Sequence, residues 1–171
     1  MRMSDGARRR RTAAAARWRP ATVDLLLVDE APPSALDRYF YFEDVTTQDS
    51  LFRYVVAGVL GVRPTRDKAP LLAELREAGV FLLDACPDPF RNRRDELVRC
   101  LPDLAARSEQ LRPRHVVLIG SPLYDLAYEP LRAAGLPVVD ARLPYPGSGQ
   151  QARFAEGFAA ALSTLSQDIG R

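Results

Sequence analysis

Histidine and lysine are nearly missing from this chain, which has His115 and Lys68 and no other of either. With one imidazole, a Ser-His-Asp triad, a Cys-His pair and a histidine-rich zinc site are excluded as sources of chemistry. Two cysteines, Cys86 and Cys100, are too few for a disulfide framework or a four-thiolate metal or cluster site, and a reducing cytoplasm is the expected compartment. No P-loop occurs and no Gly-x-Gly-x-x-Gly follows the first strand-like run, which argues against triphosphate and dinucleotide cofactors. No cofactor and no metal is expected. No apolar run reaches the length of a membrane span, and Ala13 to Ala16 is too short for the core of a signal peptide, so no membrane partner is expected either.

What the chain does have is arginine, 23 residues of it, and a composition that is 47% hydrophobic over 171 residues. That size and apolar content fit one globular domain with a core of its own. The charge is unevenly placed. Residues 1–19 carry seven arginines and one aspartate, a balance of +6, while the whole chain is +2 and residues 20–171 therefore sum to −4. The expected organisation is a basic, flexible arm over residues 1–19, followed by a single domain over residues 20–171. Such an arm can gather phosphates by counterion release without reading sequence, or it is a solvated leader; the chain is expected to be a monomer, and DNA, single- or double-stranded, is the partner that the resemblance described below implies.

Four strand-like runs alternate with helical stripes. Val23–Val28 is short, mostly apolar and closed by Pro32-Pro33; Val80–Leu83 and His115–Ile119 are similar, and Pro137–Val139 is a brief fourth. Near-continuous apolar character predicts strands buried on both faces, as in a parallel sheet. Between them, Leu51, Phe52, Val55, Val56, Val59 and Leu60 predict a helix capped by Asp49 or Ser50 and stopped by Gly61. Leu71, Leu72 and Leu75 predict a second. Leu97 to Leu111 predicts a long helix, or a pair broken at Pro102, and Ser121-Pro122 a cap and first turn leading into a helix that Pro130 interrupts. Phe154, Phe158, Leu162 and Leu165 mark the last helix. Residues 34–49 read as a long aromatic loop. Parallel strands need long crossovers, so the expected fold is an α/β/α sandwich of three layers with a central four-stranded parallel sheet.

Strand C-termini in such sheets collect functional side chains. Here they are Asp29, Glu30, Asp84, Gly120, Ser121, Tyr145 and Ser148. Glu30, on a proline-stiffened turn, can position or activate a water. Asp84 can accept hydrogen bonds from a base edge, or form an Asx turn ahead of Pro87. Tyr39, Phe40, Tyr41 and Phe42 offer stacking faces of the kind worth about 1–3 kcal/mol per base. His115 opens its strand, at the edge away from these ends, and reads as structural. Cys86 lies near the crevice with no second thiol expected beside it, and Cys100 reads as core.

Val28-Asp29-Glu30-Ala31-Pro32-Pro33 resembles the Gly-Glu-Ala-Pro-Gly motif of the uracil-DNA glycosylase superfamily. Val80 to Pro89 is similar to that family's second strand and following loop. His115–Gly120 is similar to its strand ending in glycine, and Tyr145-Pro146-Gly147-Ser148 stands where it has a His-Pro-Ser loop. The similarity spans about residues 23 to 165. It implies a glycosylase-like fold that extrudes a base from DNA and cleaves its N-glycosidic bond. On that resemblance Glu30 takes the water-positioning role and Tyr145 the second catalytic place. Ala31, Pro32, Tyr39, Phe40, Tyr41, Asp84, Ser121 and Ser148 are the base-binding candidates. Tyr145 replaces the family's histidine, Asp84 falls where an asparagine is frequent, and Asp29 and Pro33 replace the two flanking glycines. An alternative follows from those departures: a binding protein on the same scaffold, with lost or altered chemistry, that holds a nucleotide, nucleic acid or protein.

Overall fold

The structure is a computed structural model, and it describes residues 2–44, 49–64 and 67–168. Six α-helices and three strands follow one another in an α/β order. Helix α1 spans Arg2–Arg17, strand β1 Leu25–Asp29, α2 Ser50–Leu60, α3 Lys68–Glu77 and β2 Val80–Asp84; then come α4 Arg93–Leu111, β3 His115–Leu118, α5 Ser121–Ala133 and α6 Gln151–Asp168. The strands are parallel in the order β2-β1-β3, with Leu25 opposite Val80 and His115, and Asp29 opposite Asp84. Every residue of β1 is buried, as its unbroken apolar run requires at the centre of a sheet. His115 sits at the opposite end of β3 from the cluster of strand C-termini.

The sheet has three strands rather than the expected four. The chain after α5 touches β3 only at isolated parallel bridges, Val116 with Val138 and Ile119 with Leu143. Pro137 brings no N–H, and the amides of Val138 and Ala141 turn back to Leu136 O and Val139 O, both at 2.9 Å. Pro137 and Ala141 thus offer β3 no donor, where Val139 N, bonded to Val116 O at 2.8 Å, does. Neither internal proline breaks its helix: α4 runs through Pro102 and α5 through Pro130. The carbonyl that Pro102 leaves without a donor belongs to Val98, which is exposed and can give it to water.

Asp49 caps α2 by accepting from Phe52 N at 2.6 Å, and Gly61 closes it at φ 67°. In α5 the expected cap shifts by one: Gly120 is the N-cap and Ser121 already helical. Residues 45–48 of the aromatic loop lie outside the described residues. No described helix is long and apolar enough to cross a membrane.

The arginine-rich segment is a helix, where a flexible arm was expected. Ala13–Ala16 favours helix, and specific contacts tie the segment down. Trp18 is buried, with the guanidinium carbons of Arg17 and Arg76 each 5.2 Å from its ring centre. Arg11 is buried and donates to Pro87 O at 3.0 Å and to Asp88 at 3.2 Å; Arg8 also pairs with Asp88. Arg17 meets Glu43 at 3.1 Å, and Arg10 lies over the Phe42 ring. The cysteines also depart from expectation: Cys86 and Cys100 form a disulfide with Cα atoms 5.6 Å apart, because α4 packs back over the loop after β2.

Candidate functional site

At the C-terminal ends of β1 and β2 lies a cavity of about 270 Å³. Asp29, Glu30, Ala31 and Pro32 enter it from the end of β1 and its turn, Tyr39 and Phe40 from the aromatic loop, Asp84 from β2, and Tyr145 from the loop before α6. Seven of the ten predicted site residues therefore share one cavity. The backbone explains the convergence at β1 and β2. Their ladder continues past the strands through Ala85 N to Asp29 O (2.7 Å) and Cys86 N to Glu30 O (2.9 Å), so both strand ends stay level.

Glu30 is seated in this frame by a glycine. Gly120, at φ 110°, lies so close that a Cβ there would come within 3.1 Å of the Glu30 carboxyl carbon. Only glycine suits both that backbone angle and that approach. The Glu30 side chain is buried; Oε2 is 3.6 Å from Arg93 Nε, and Oε1 has no hydrogen-bond partner among the described residues. Burial pushes its pKa up, and Arg93 offsets part of that.

The other acids of the cavity lean the same way. Burial raises Asp29 well above the usual carboxylate range, and repulsion from Asp84 adds to it. Burial lifts Asp84 to about 7, against the opposing pull of Arg11 and Arg107. Asp49, the cap of α2, also lines the cavity and is raised by burial despite its bond from Phe52 N. Four carboxylates thus face one space whose lining holds a single guanidinium, Arg93. Tyr145 keeps its proton firmly, since burial and the surrounding acids all oppose ionisation of its phenol.

The rings divide by exposure. Tyr39 and Phe40 are each buried beyond 90% and pack edge-on, Tyr39 against Phe42 at 5.0 Å and Phe40 against Phe52 at 5.3 Å. Phe90, which the sequence reasoning missed, is half-buried at the cavity wall, and Tyr145 is 39% exposed there. These two have the most ring surface to offer a planar ligand. The adjacent Pro89 and the Pro-rich loop ahead of α4 were the only sequence signals for Phe90.

Three predicted residues lie outside the cavity lining. The Tyr41 hydroxyl accepts from Leu82 N at 2.6 Å and donates to Leu82 O at 2.9 Å, satisfying the outer backbone of edge strand β2. Ser121 opens α5 behind Gly120, and Ser148 is exposed at φ 51° in the loop before α6. Lys68, the sole lysine, is also structural. Its buried ammonium donates to Tyr39 O at 3.1 Å and lies 4.4 Å from the Phe52 ring centre, and burial lowers its pKa to about 8. No group of three or more His, Cys, Asp or Glu among the described residues is arranged to hold a metal ion.

No protein-family model matches this chain, and no curated protein does.

Proposed function

We propose that the chain is a divergent uracil-DNA glycosylase-like protein whose strand-end cavity receives an altered base turned out of DNA and hydrolyses its glycosidic bond. One observation carries this reading: Glu30-Ala31-Pro32, Asp84 and Tyr145, three stretches far apart in sequence, line the same cavity. The helices fall into two packed sets, α2 with α3 and α6, and α4 with α5. On this reading, right-handed crossovers from β1 to β2 through α2 and α3, and from β2 past β1 to β3 through α4, would set those helices on opposite faces, as the three layers of that superfamily require.

In this mechanism the unpartnered Glu30 Oε1 accepts a hydrogen bond from water and takes its proton as the water oxygen attacks the sugar C1′. A carboxylate pKa raised toward neutrality suits a general base. Tyr145, which holds its proton, donates to the departing base. Asp84 binds its edge, and Phe90 covers a face. Arg9 and Arg19, exposed and with no side-chain partner described, are the α1-side contacts for DNA phosphates.

The test is abasic-site formation in oligonucleotides carrying uracil, hypoxanthine, xanthine or 7-methylguanine. The reading predicts cleavage of at least one, reduced by about 100-fold or more in Glu30→Gln. No cleavage of any of them, or equal rates in that variant, overturns it. A second reading, base binding without chemistry, is favoured by Tyr145 standing where the superfamily has its histidine. It predicts base binding by a protein that cleaves nothing.

A further inference from the structure

Acids alone do not make a site, and most carboxylate clusters on proteins are solvated or paired with arginine. The strand-end cavity is different in one respect. Glu30 lines the cavity, and its buried Oε1, packed beside Gly120, has no hydrogen-bond donor among the described residues. A buried acceptor left open costs free energy that a donor or a positive charge from a ligand would recover. Around it lie Asp29, Asp49 and Asp84, acids whose ionisation burial opposes and a bound cation would favour; Arg93, the one cation of the lining, is largely exposed with its Nε 3.6 Å from Glu30, and Arg11 and Arg107 pull on Asp84 from outside the lining. Charges in such a partly dry space act over several ångströms. A uracil-like edge, with two carbonyl oxygens, would turn its lone pairs toward these acids.

From these observations we infer that the cavity takes a positively charged, N-alkylated nucleobase, with carboxylates around the charged ring and Phe90 and Tyr145 against its faces. This inference rests on the glycosylase reading for its chemistry, and it explains how excision could proceed with a tyrosine in place of a histidine. When the base is already cationic, the bond from C1′ to the ring nitrogen breaks with both electrons going to the base, which departs neutral. The water oxygen bonds to C1′, and its proton passes to the Glu30 carboxylate. No negative charge develops on the leaving group, so no strong proton donor is needed opposite Glu30.

The test has two arms on the full chain. In the first, binding of 1-methyladenosine, a cation at neutral pH, is compared with binding of adenosine by calorimetry. The inference predicts at least about tenfold tighter binding of the cation, a preference lost in Glu30→Gln and in Asp84→Asn and kept in Asp88→Asn, whose carboxylate lies outside the cavity lining. Asp84→Asn removes a burdened charge, so it should fold. In the second arm, excision of 7-methylguanine from DNA is compared with excision of uracil. Preference for the cation in both arms supports the inference together with the glycosylase reading. Preferential binding without any excision supports the ligand class and removes the glycosylase reading. Excision of uracil with no preference for cations overturns the inference and leaves glycosylase activity standing. Equal binding of the two nucleosides overturns it whatever the second arm gives.

Discussion

Asp84, the last residue of β2, and Asp88, in the loop that follows, lie four residues apart and meet opposite conditions. Asp88 is partly exposed and held between Arg8 and Arg11, and the hydrogen bond from Arg8 keeps its pKa below the usual carboxylate range. Asp84 ends its strand among Asp29, Glu30 and Asp49, and burial lifts it to about 7. The first acid contributes to holding α1 in place. The second is carried at a cost to stability, because burial outweighs the opposing pull of Arg11 and Arg107. Unrelieved charge of this kind gathers at functional sites, and here it coincides with the convergence of strand ends.

The largest effect expected from this contrast is on stability against pH. Asp84 is protonated in both states below its ordinary value near 4. Between about 4 and about 7 the unfolded chain ionises first, so the folded state loses stability as pH rises. Asp84→Asn should therefore match the parent protein in acid and exceed it above neutrality by up to about 4 kcal/mol, as chemical denaturation across pH would measure. A variant less stable than the parent at high pH would mean that the charge is compensated after all.

Next in size is Gly120→Ala, which forces a side chain onto φ 110° and against the Glu30 carboxyl. A loss of about 1–3 kcal/mol is expected, with weakened ligand binding. Gly61→Ala is the matched control, because its φ is also positive but its Cβ would meet open space, so only the backbone part should be lost.

Arg11→Ala tests the satisfied side of the comparison. It removes a buried donor from Pro87 O and from Asp88, costs about 1–3 kcal/mol, and should lower hydrogen-exchange protection across α1. Unchanged protection would show that the other contacts, Arg8 with Asp88, Arg17 with Glu43 and buried Trp18, seat the helix without Arg11. The smallest effect belongs to Asp88→Asn, under about 1 kcal/mol because the pair is half open to water. Its pH sense is the reverse of Asp84: the contribution is present above the ordinary carboxylate value and disappears as pH falls through the lower folded value.

How much of this was legible in the sequence varies by element. Unbroken apolar runs identified β1, β2 and β3, and their parallel pairing brought Glu30, Asp84 and Tyr145 to one place. The fourth strand was misread because Pro137–Val139 has the composition of a strand, while Pro137 has no amide donor and Ala141 N turns back to Val139 O, so the pairing ends after Val139 N. Charge count made residues 1–19 look unattached; only the fold reveals Asp88 and Glu43 as their partners and Trp18 as buried. Asp49 was recognised as a cap and missed as a cavity acid, since one side chain serves both purposes. The Cys86–Cys100 bond depends on how α4 folds back, which spacing alone does not specify. Phe90 followed no apolar period and carried no signal of its own.

The central claim is that the strand-end acids and rings form one site for a planar base. A crystal structure of the protein soaked with 1-methyladenosine tests it most directly. The account predicts the base against Phe90 and Tyr145, with Glu30 Oε1 in contact with its charged edge. An empty cavity at saturating ligand, or the nucleoside bound beside α1 instead, would contradict it.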